Sequence, residues 1–218
     1  MLYYETNWDG MTLLQSEQAL KLTADAVLLS RFATLHSGDR VCDLGCGVGN
    51  ILIGLALRHR EVTLDGVELR PDAAHLCREN LRINGLKGTI VTGDLNDRFE
   101  QLPWGGYHLV VANPPYFPMG TGKVSPTEGR AVARTEGSYT LAAGCAAAGR
   151  LCRFGGKYAL CLPPERLGEL FVALKEAKLE PKRLQFIQTG ANKEARLALV
   201  EAQKGAKPGL RVLPVNIE

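Results

Sequence analysis

Val41-Cys42-Asp43-Leu44-Gly45-Cys46-Gly47-Val48-Gly49-Asn50 is the stretch that decides the fold, because it changes character twice within ten residues. A β-type apolar run opens it, glycines at alternate positions follow, and Ile51 to Leu57 continues as a solidly apolar helical segment. A strand, a glycine-rich turn and a helix in that order are the start of a βα unit. Glycine lets the backbone come close to a ligand, and the N–H groups at the start of the following helix favour an anionic group there. The spacing of Gly45, Gly47 and Gly49 is G-x-G-x-G, whereas the dinucleotide fingerprint is G-x-G-x-x-G, so a nicotinamide cofactor is disfavoured.

Outward from this turn the chain keeps alternating. Strands are expected near 39–44, 62–68, 88–92, 107–112, 156–162, 183–188 and 195–203. Pro71-Asp72 opens a helix that Asn84-Gly85 can end, Ser138 can cap an alanine-rich helix, and Pro163-Pro164 begins another. The last two strands are separated by about seven residues that include Gly190-Ala191-Asn192, too few for a crossover helix, which predicts an antiparallel hairpin. The expected architecture is α/β, with a seven-stranded, mostly parallel sheet whose last strand is antiparallel and with helices on both faces. A single domain over 1–218 is expected, with 1–38 as a short leader over the cofactor site.

Asp43, Glu68, Asp94 and Asn113 each close one of four successive strands, and open α/β sheets bind ligands outside the carboxyl ends of their strands. Taken singly, each acid reads as a solvated loop residue or a helix cap, so the argument rests on their shared placement. Glu68 stands where an acid holds a ribose, since a carboxylate can accept from both hydroxyls of a diol. Asp94 is placed to accept from an adenine amine. S-adenosylmethionine fits this set: its carboxylate would lie against the turn at Gly45, Gly47 and Asn50, and Asp43 would meet its positively charged methionyl half.

Asn113-Pro114-Pro115-Tyr116 narrows the chemistry. The exocyclic nitrogen of adenine, like the amide nitrogen of glutamine, is a poor nucleophile because its lone pair is delocalised. Two acceptors, an Asn side-chain oxygen and the neighbouring backbone carbonyl, can each take one N–H and favour the pyramidal geometry that attacks a methyl group. The prolines pre-set the backbone of Asn113 and Pro114 as extended. Tyr116 offers a face for a planar group to stack on. Asn113, Pro114, Pro115 and Tyr116 are therefore the candidate catalytic residues, and Asn113 also borders the cofactor.

With 218 residues and 45% hydrophobic content the chain can bury one substantial core. No signal-length apolar stretch and no membrane-length run is present, so a cytoplasmic protein without a membrane partner is expected. The six cysteines show no CxxC pairing and the four histidines no ligand spacing. Buried thiols are expected, and no metal is implied.

The NPPY tetrapeptide together with the glycine turn resembles the class I S-adenosylmethionine-dependent amino-methyltransferases, Rossmann-like in fold. More narrowly, Leu20 to Leu29, Asn113 to Phe117 and Arg130 to Glu136 resemble the bacterial tRNA1(Val) (adenine(37)-N6)-methyltransferase family. The resemblance implies transfer to N6 of the adenine beside the anticodon of valine tRNA, with the anticodon arm as partner; the sequence leaves the oligomeric state open, with a monomer favoured. It also implies that the helix start at Thr23-Ala24-Asp25 covers the cofactor, with Thr23 or Asp25 near its methionyl part; as residues alone they read as a helix cap followed by a first-turn acid. A protein glutamine N5-methyltransferase of the release-factor type is the runner-up, weakened because only 38 residues precede the first expected strand. Methylation of ribosomal RNA or DNA, and a catalytically silent RNA-binding or scaffold module, complete the alternatives.

The irregular stretch 117–137, carrying Lys123, Arg130 and Arg134, is a candidate lid or RNA clamp. Charge points the same way: residues 1–119 hold 10 Lys/Arg against 14 Asp/Glu, while residues 120–218 hold 16 against 9. A polyanion gains affinity from such an excess through counterion release, which a small amide would not need. Lys182, Arg183, Lys193, Arg196, Lys204, Lys207 and Arg211 are the expected phosphate contacts.

Overall fold

A computed structural model describes residues 3–16, 22–114 and 140–217. The chain opens with a hairpin, β1 (Tyr3–Trp8) and β2 (Met11–Ser16), followed by helix α1 (Ala24–Phe32). Alternating units follow: β3 (Arg40–Leu44), α2 (Asn50–Arg58), β4 (Thr63–Glu68), α3 (Pro71–Ile83), β5 (Ile90–Thr92) and β6 (Tyr107–Ala112). Helix α4 (Leu141–Leu151) runs directly into β7 (Cys152–Leu162), a short 3-10 turn (Pro164–Arg166) leads into α5 (Leu167–Glu176), and β8 (Leu179–Gln188) and β9 (Ala195–Lys204) complete the main sheet. Two short strands, β10 (Arg211–Val212) and β11 (Asn216–Ile217), both pair in parallel with β8.

The strand order is β10-β8-β9-β7-β6-β3-β4-β5, with β11 also on β8. Strand β9 is antiparallel to both β7 and β8, and the other pairs in this sheet are parallel. Seven of these strands are those read from the sequence, reversed strand included. Order switches direction at β3, whose neighbours are β4 and β6, so the crevice for a ligand opens at the ends of β3, β4 and β6.

Side-chain alternation divides the core in two. Val41, Leu109, Val111, Ala159, Leu197 and Leu199 face the layer of α1, α2 and α3, while Cys42, Val110, Ala112, Leu160, Val200 and Ala202 face α4 and α5. Successive strand residues point to opposite faces, so each strand must be apolar throughout, which is why their sequences read as runs instead of alternations. No helix among the described residues is long and apolar enough to cross a membrane.

The leader differs from the sequence reading. It opens with a hairpin, where no strand was expected, turning at Asp9-Gly10, both at positive φ (49° and 85°), the backbone a two-residue turn demands. Asp-Gly between apolar runs is a hairpin signal in its own right. Met11 and Leu13 are fully buried, and the backbone of β2 docks on α3 through two asparagines: Asn84 Oδ1 accepts from the Thr12 N–H and Asn80 Oδ1 from the Leu14 N–H, at 3.0 and 2.7 Å. For the alanine-rich helix α4 the cap is Thr140, whose hydroxyl oxygen accepts from the Ala143 N–H at 3.1 Å; Ser138 lies outside the described residues. Thr23 caps α1 as expected, accepting from the Ala26 N–H at 3.3 Å.

One buried carboxylate ties three strands together. Asp65 on β4 is fully buried and accepts from Arg40 Nε, the Tyr107 hydroxyl and the Thr89 N–H, each at 2.8 Å. Burial, with the nearby Cys42 and Asp65, pushes the Tyr107 phenol up, so it remains a donor. Asp65→Ala would leave a phenol and a guanidinium without their acceptor and should cost about 3–5 kcal/mol in urea unfolding. A loss below ~1 kcal/mol would show that the network does not hold the sheet.

Candidate active site

The turn between β3 and α2 is built from three glycines in the left-handed region, Gly45 (φ 80°), Gly47 (φ 53°) and Gly49 (φ 93°). Each conformation is strained for a residue with a Cβ. At Gly49 space forbids one as well, because a Cβ would lie 2.9 Å from Cys77 Sγ. The turn is tied to β4 at several points. The N–H groups of Gly45 and Cys46 both donate to the Val67 carbonyl, at 2.8 and 3.1 Å, and the Gly47 N–H donates to Glu68 Oε2 at 2.8 Å. Glu68 Oε1 accepts from the Arg70 N–H, also at 2.8 Å. Glu68 is thus a brace for the turn, a use the sequence reading did not foresee, and each of its oxygens keeps a second lone pair.

Asp43 is 1% exposed, and both its carboxylate oxygens are buried without a hydrogen-bond partner among the described residues. Burial, and secondarily the Glu68 carboxylate, pushes its pKa well above the usual carboxylate range. An unpartnered carboxylate at a strand end beside a glycine turn is the complement of a cationic ligand group. The alternation that points Val41 and Val111 at the α1–α3 layer points Asp43 the same way and carries on to Asn113, just past β6. There Asn113 Oδ1 accepts from the Cys161 thiol at 3.1 Å, a contact that the expectation of buried thiols did not include. Pro114 beside it is buried; Pro115 and Tyr116 lie outside the described residues.

Asp94 stands two residues beyond β5 and closes an Asx turn, its Oδ1 accepting from the Asn96 N–H at 2.9 Å. Asn50 is the first residue of α2, at the end of the glycine turn. Asp25 does not stand alone at the α1 start: Arg196 Nη1 donates to its Oδ1 at 2.7 Å.

The basic residues do not form one patch. Lys193 and Arg196 lie at the end of the sheet that carries Asn113, whereas Lys204 and Lys207 lie toward the opposite end, and Arg183 pairs in register with Arg211 midway along the edge. Arg183 is also committed internally. Its Nη1 donates to the Phe32 carbonyl, Thr34 Oγ1 and Glu201 Oε1 at 3.2, 2.8 and 3.0 Å, and its guanidinium lies 4.5 Å from the Phe32 ring centroid. Lys182 donates to the Lys207 carbonyl at 3.0 Å and Lys204 to that of Cys152 at 2.8 Å. Arg183 is therefore corrected from phosphate contact to structural clamp, since β8 and β9 place it over α1. Lys123, Arg130 and Arg134 lie outside the described residues.

Over 200 residues, 91% of this chain and 77% of the relative, the sequence is 32% identical to the tRNA1(Val) (adenine(37)-N6)-methyltransferase of Tolumonas auensis. The chain belongs to the tRNA1(Val) (adenine(37)-N6)-methyltransferase family. Residues 20–127 of this family member also match the Methyltransferase small domain. Its fold is that of a predicted O-methyltransferase from Agrobacterium tumefaciens, with a TM-score of 0.70 at 21% identity over 88% of this chain and 86% of that one. A Thermus thermophilus 16S rRNA N2 G1207 methyltransferase, solved with AdoMet and guanosine, superposes with a TM-score of 0.62 at 21% identity over 93% of this chain and 50% of that one.

The Asp43 environment has a measurable consequence. A carboxyl whose folded pKa is raised binds protons more tightly folded than unfolded, so stability declines as pH rises from about 4 through the raised folded value. Asp43→Asn removes that decline and should raise the melting temperature of the ligand-free protein at neutral pH by about 2–4 °C or more. Thermal melts across pH check it, and a variant less stable than wild type at neutral pH would contradict it.

Proposed function

We propose that this protein transfers the methyl group of S-adenosylmethionine to N6 of adenine in tRNA, at A37 of tRNA1(Val), as a single-domain monomer binding the anticodon arm. The observation that carries the reading is the convergence of Asp43, Glu68 and Asn113 on one face, at the ends of three adjacent strands, around a glycine turn. The names of the relatives agree with it.

Bound S-adenosylmethionine supplies a methyl group on a positively charged sulfur, activated for nucleophilic attack. The chain's own residues do the rest. Asp43, buried without a partner, compensates the positive methionyl half. Gly45 and Gly47 let the backbone approach, and the α2 start at Asn50 favours the carboxylate. Glu68, held rigid by the Gly47 and Arg70 N–H groups, offers its remaining lone pairs to the ribose diol. Asp94, just past the end of β5, would accept from the adenine amine of the cofactor. Thr23 and Asp25 border the site through the α1 start.

Asn113 Oδ1 and the Pro114 carbonyl accept the two N6 hydrogens of the target base, which leaves its stack to enter the cleft, and Tyr116 stacks on it. The Cys161 thiol aims the Asn113 oxygen. With both hydrogens accepted, the nitrogen lone pair would be directed at the methyl group that the cofactor supplies, and the proton would then leave to solvent without a dedicated base. Lys123, Arg130, Arg134 and Lys193 supply phosphate contacts.

Labelled methyl transfer to unmodified valine tRNA and to release factor in parallel tests the reading, with N6-methyladenosine beside the anticodon as the expected product. Label on the protein alone would replace it with glutamine methylation. Asn113→Ala should lower turnover by roughly 10²-fold or more while cofactor affinity holds, and retained turnover would remove Asn113 from the role. Affinity for tRNA should fall steeply between about 50 and 200 mM salt, and a flat response would exclude a phosphate-dominated contact.

A further inference from the structure

Asn80, fully buried on α3, hydrogen-bonds to two parts of the molecule, the amino-terminal hairpin and the glycine turn. Its Oδ1 accepts from the Leu14 N–H at 2.7 Å, while its Nδ2 donates to the Leu14 carbonyl at 3.0 Å and to the Val48 carbonyl at 2.8 Å. The carboxamide thereby completes the backbone pairing of one residue of β2 and fixes the middle of the glycine turn. Three of its four hydrogen-bonding positions are used, in an orientation that a flipped amide could not reproduce. One turn earlier on the same helix, Cys77 fills the space beside Gly49. One turn later, Asn84 holds the β2 backbone at Thr12, accepting from its N–H at 3.0 Å and donating to its carbonyl at 2.6 Å. Asn84 thus grips the hairpin in the same manner as Asn80, and its bonds do not reach the turn.

We propose that Asn80 is a positioning residue for S-adenosylmethionine and that it couples docking of the amino-terminal hairpin to the cofactor turn. The proposal rests on the cofactor reading above. The Val48 carbonyl lies between two glycines at positive φ, which add no side-chain packing of their own to that of Val48, so a buried donor aimed at that carbonyl restricts the turn. If Asn80 is satisfied only when β2 is docked, a ligand that selects the ordered turn also favours the docked hairpin. Reciprocity then requires the docked hairpin to favour the ligand by the same factor.

The pair of asparagines provides its own control. Asn80→Ala and Asn84→Ala both loosen the hairpin, but only the first frees the turn. Calorimetry with S-adenosylhomocysteine should show affinity lowered about tenfold or more in Asn80→Ala, the equivalent of one lost buried hydrogen bond. In Asn84→Ala it should change less than about threefold for a similar drop in melting temperature. In turnover assays the KM for S-adenosylmethionine should rise with kcat held within about threefold, as expected for lost ground-state positioning. Equal affinity losses in the two variants, scaling with stability, would reduce Asn80 to a structural residue.

Wild-type hydrogen exchange keeps the idea testable if Asn80→Ala does not fold. Saturating S-adenosylhomocysteine should slow exchange of the Leu14 amide, and unchanged exchange there would overturn the coupling while leaving the cofactor reading intact. A wild type that bound no S-adenosylhomocysteine would overturn both.

Discussion

Everything at the site depends on a turn that only glycine permits. Gly45, Gly47 and Gly49 take positive φ in succession between the end of β3 and the start of α2, and that reversal sets the α2 start against the end of β3. The turn packs only through Cys46 and Val48, both buried in the core, because its glycines have no side chains. It is held from outside, by the Val67 carbonyl, the Glu68 carboxylate, the Cys77 thiol and the Asn80 carboxamide. Two neighbouring elements, β4 and α3, therefore act as a mould for the ligand loop. The order of strands around β3 makes the mould possible, since β4 is its sheet neighbour on one side and β6, bearing Asn113, on the other.

The electrostatics follow from the same placement. Asp43 and Glu68 are both buried at this end of the sheet, but they are treated differently. Glu68 is satisfied by backbone N–H groups from the turn and from the α3 start, whereas Asp43 has no donor among the described residues. A protein interior tolerates such an acid at a cost in stability, and functional sites are where that cost is commonly found. Asp65, by contrast, is buried with three donors and belongs to the framework. Of these three buried carboxylates, Asp43 alone lacks a donor among the described residues.

Much of this was legible as residues in a row. The glycine spacing, the acids closing successive strands, the NPPY tetrapeptide and the short link before β9 identify a methyltransferase sheet because each is a local constraint, of backbone conformation, strand end or chain length. The Asp9-Gly10 hairpin was also local and could have been read from its turn dipeptide. The roles of Arg183 and Arg196 were not legible. A basic side chain on a strand looks the same in sequence whether it meets phosphate or clamps a helix, and only the packing of β8 and β9 against α1 shows Arg183 bonded to Thr34 and Glu201 and Arg196 bonded to Asp25.

The sequence by itself determined the class of fold and the kind of chemistry, through positions where one residue type is required: glycine for positive φ, proline for a rigid backbone, asparagine for a neutral acceptor. What the tertiary structure decided was which polar groups are already committed to one another. Asn80 and Leu14 stand 66 positions apart, Cys161 and Asn113 stand 48 apart, and Arg183 and Thr34 stand 149 apart. Hydrogen bonds across such separations follow no period of strand or helix. They exist because the folded chain brings the partners together, and no local pattern records them.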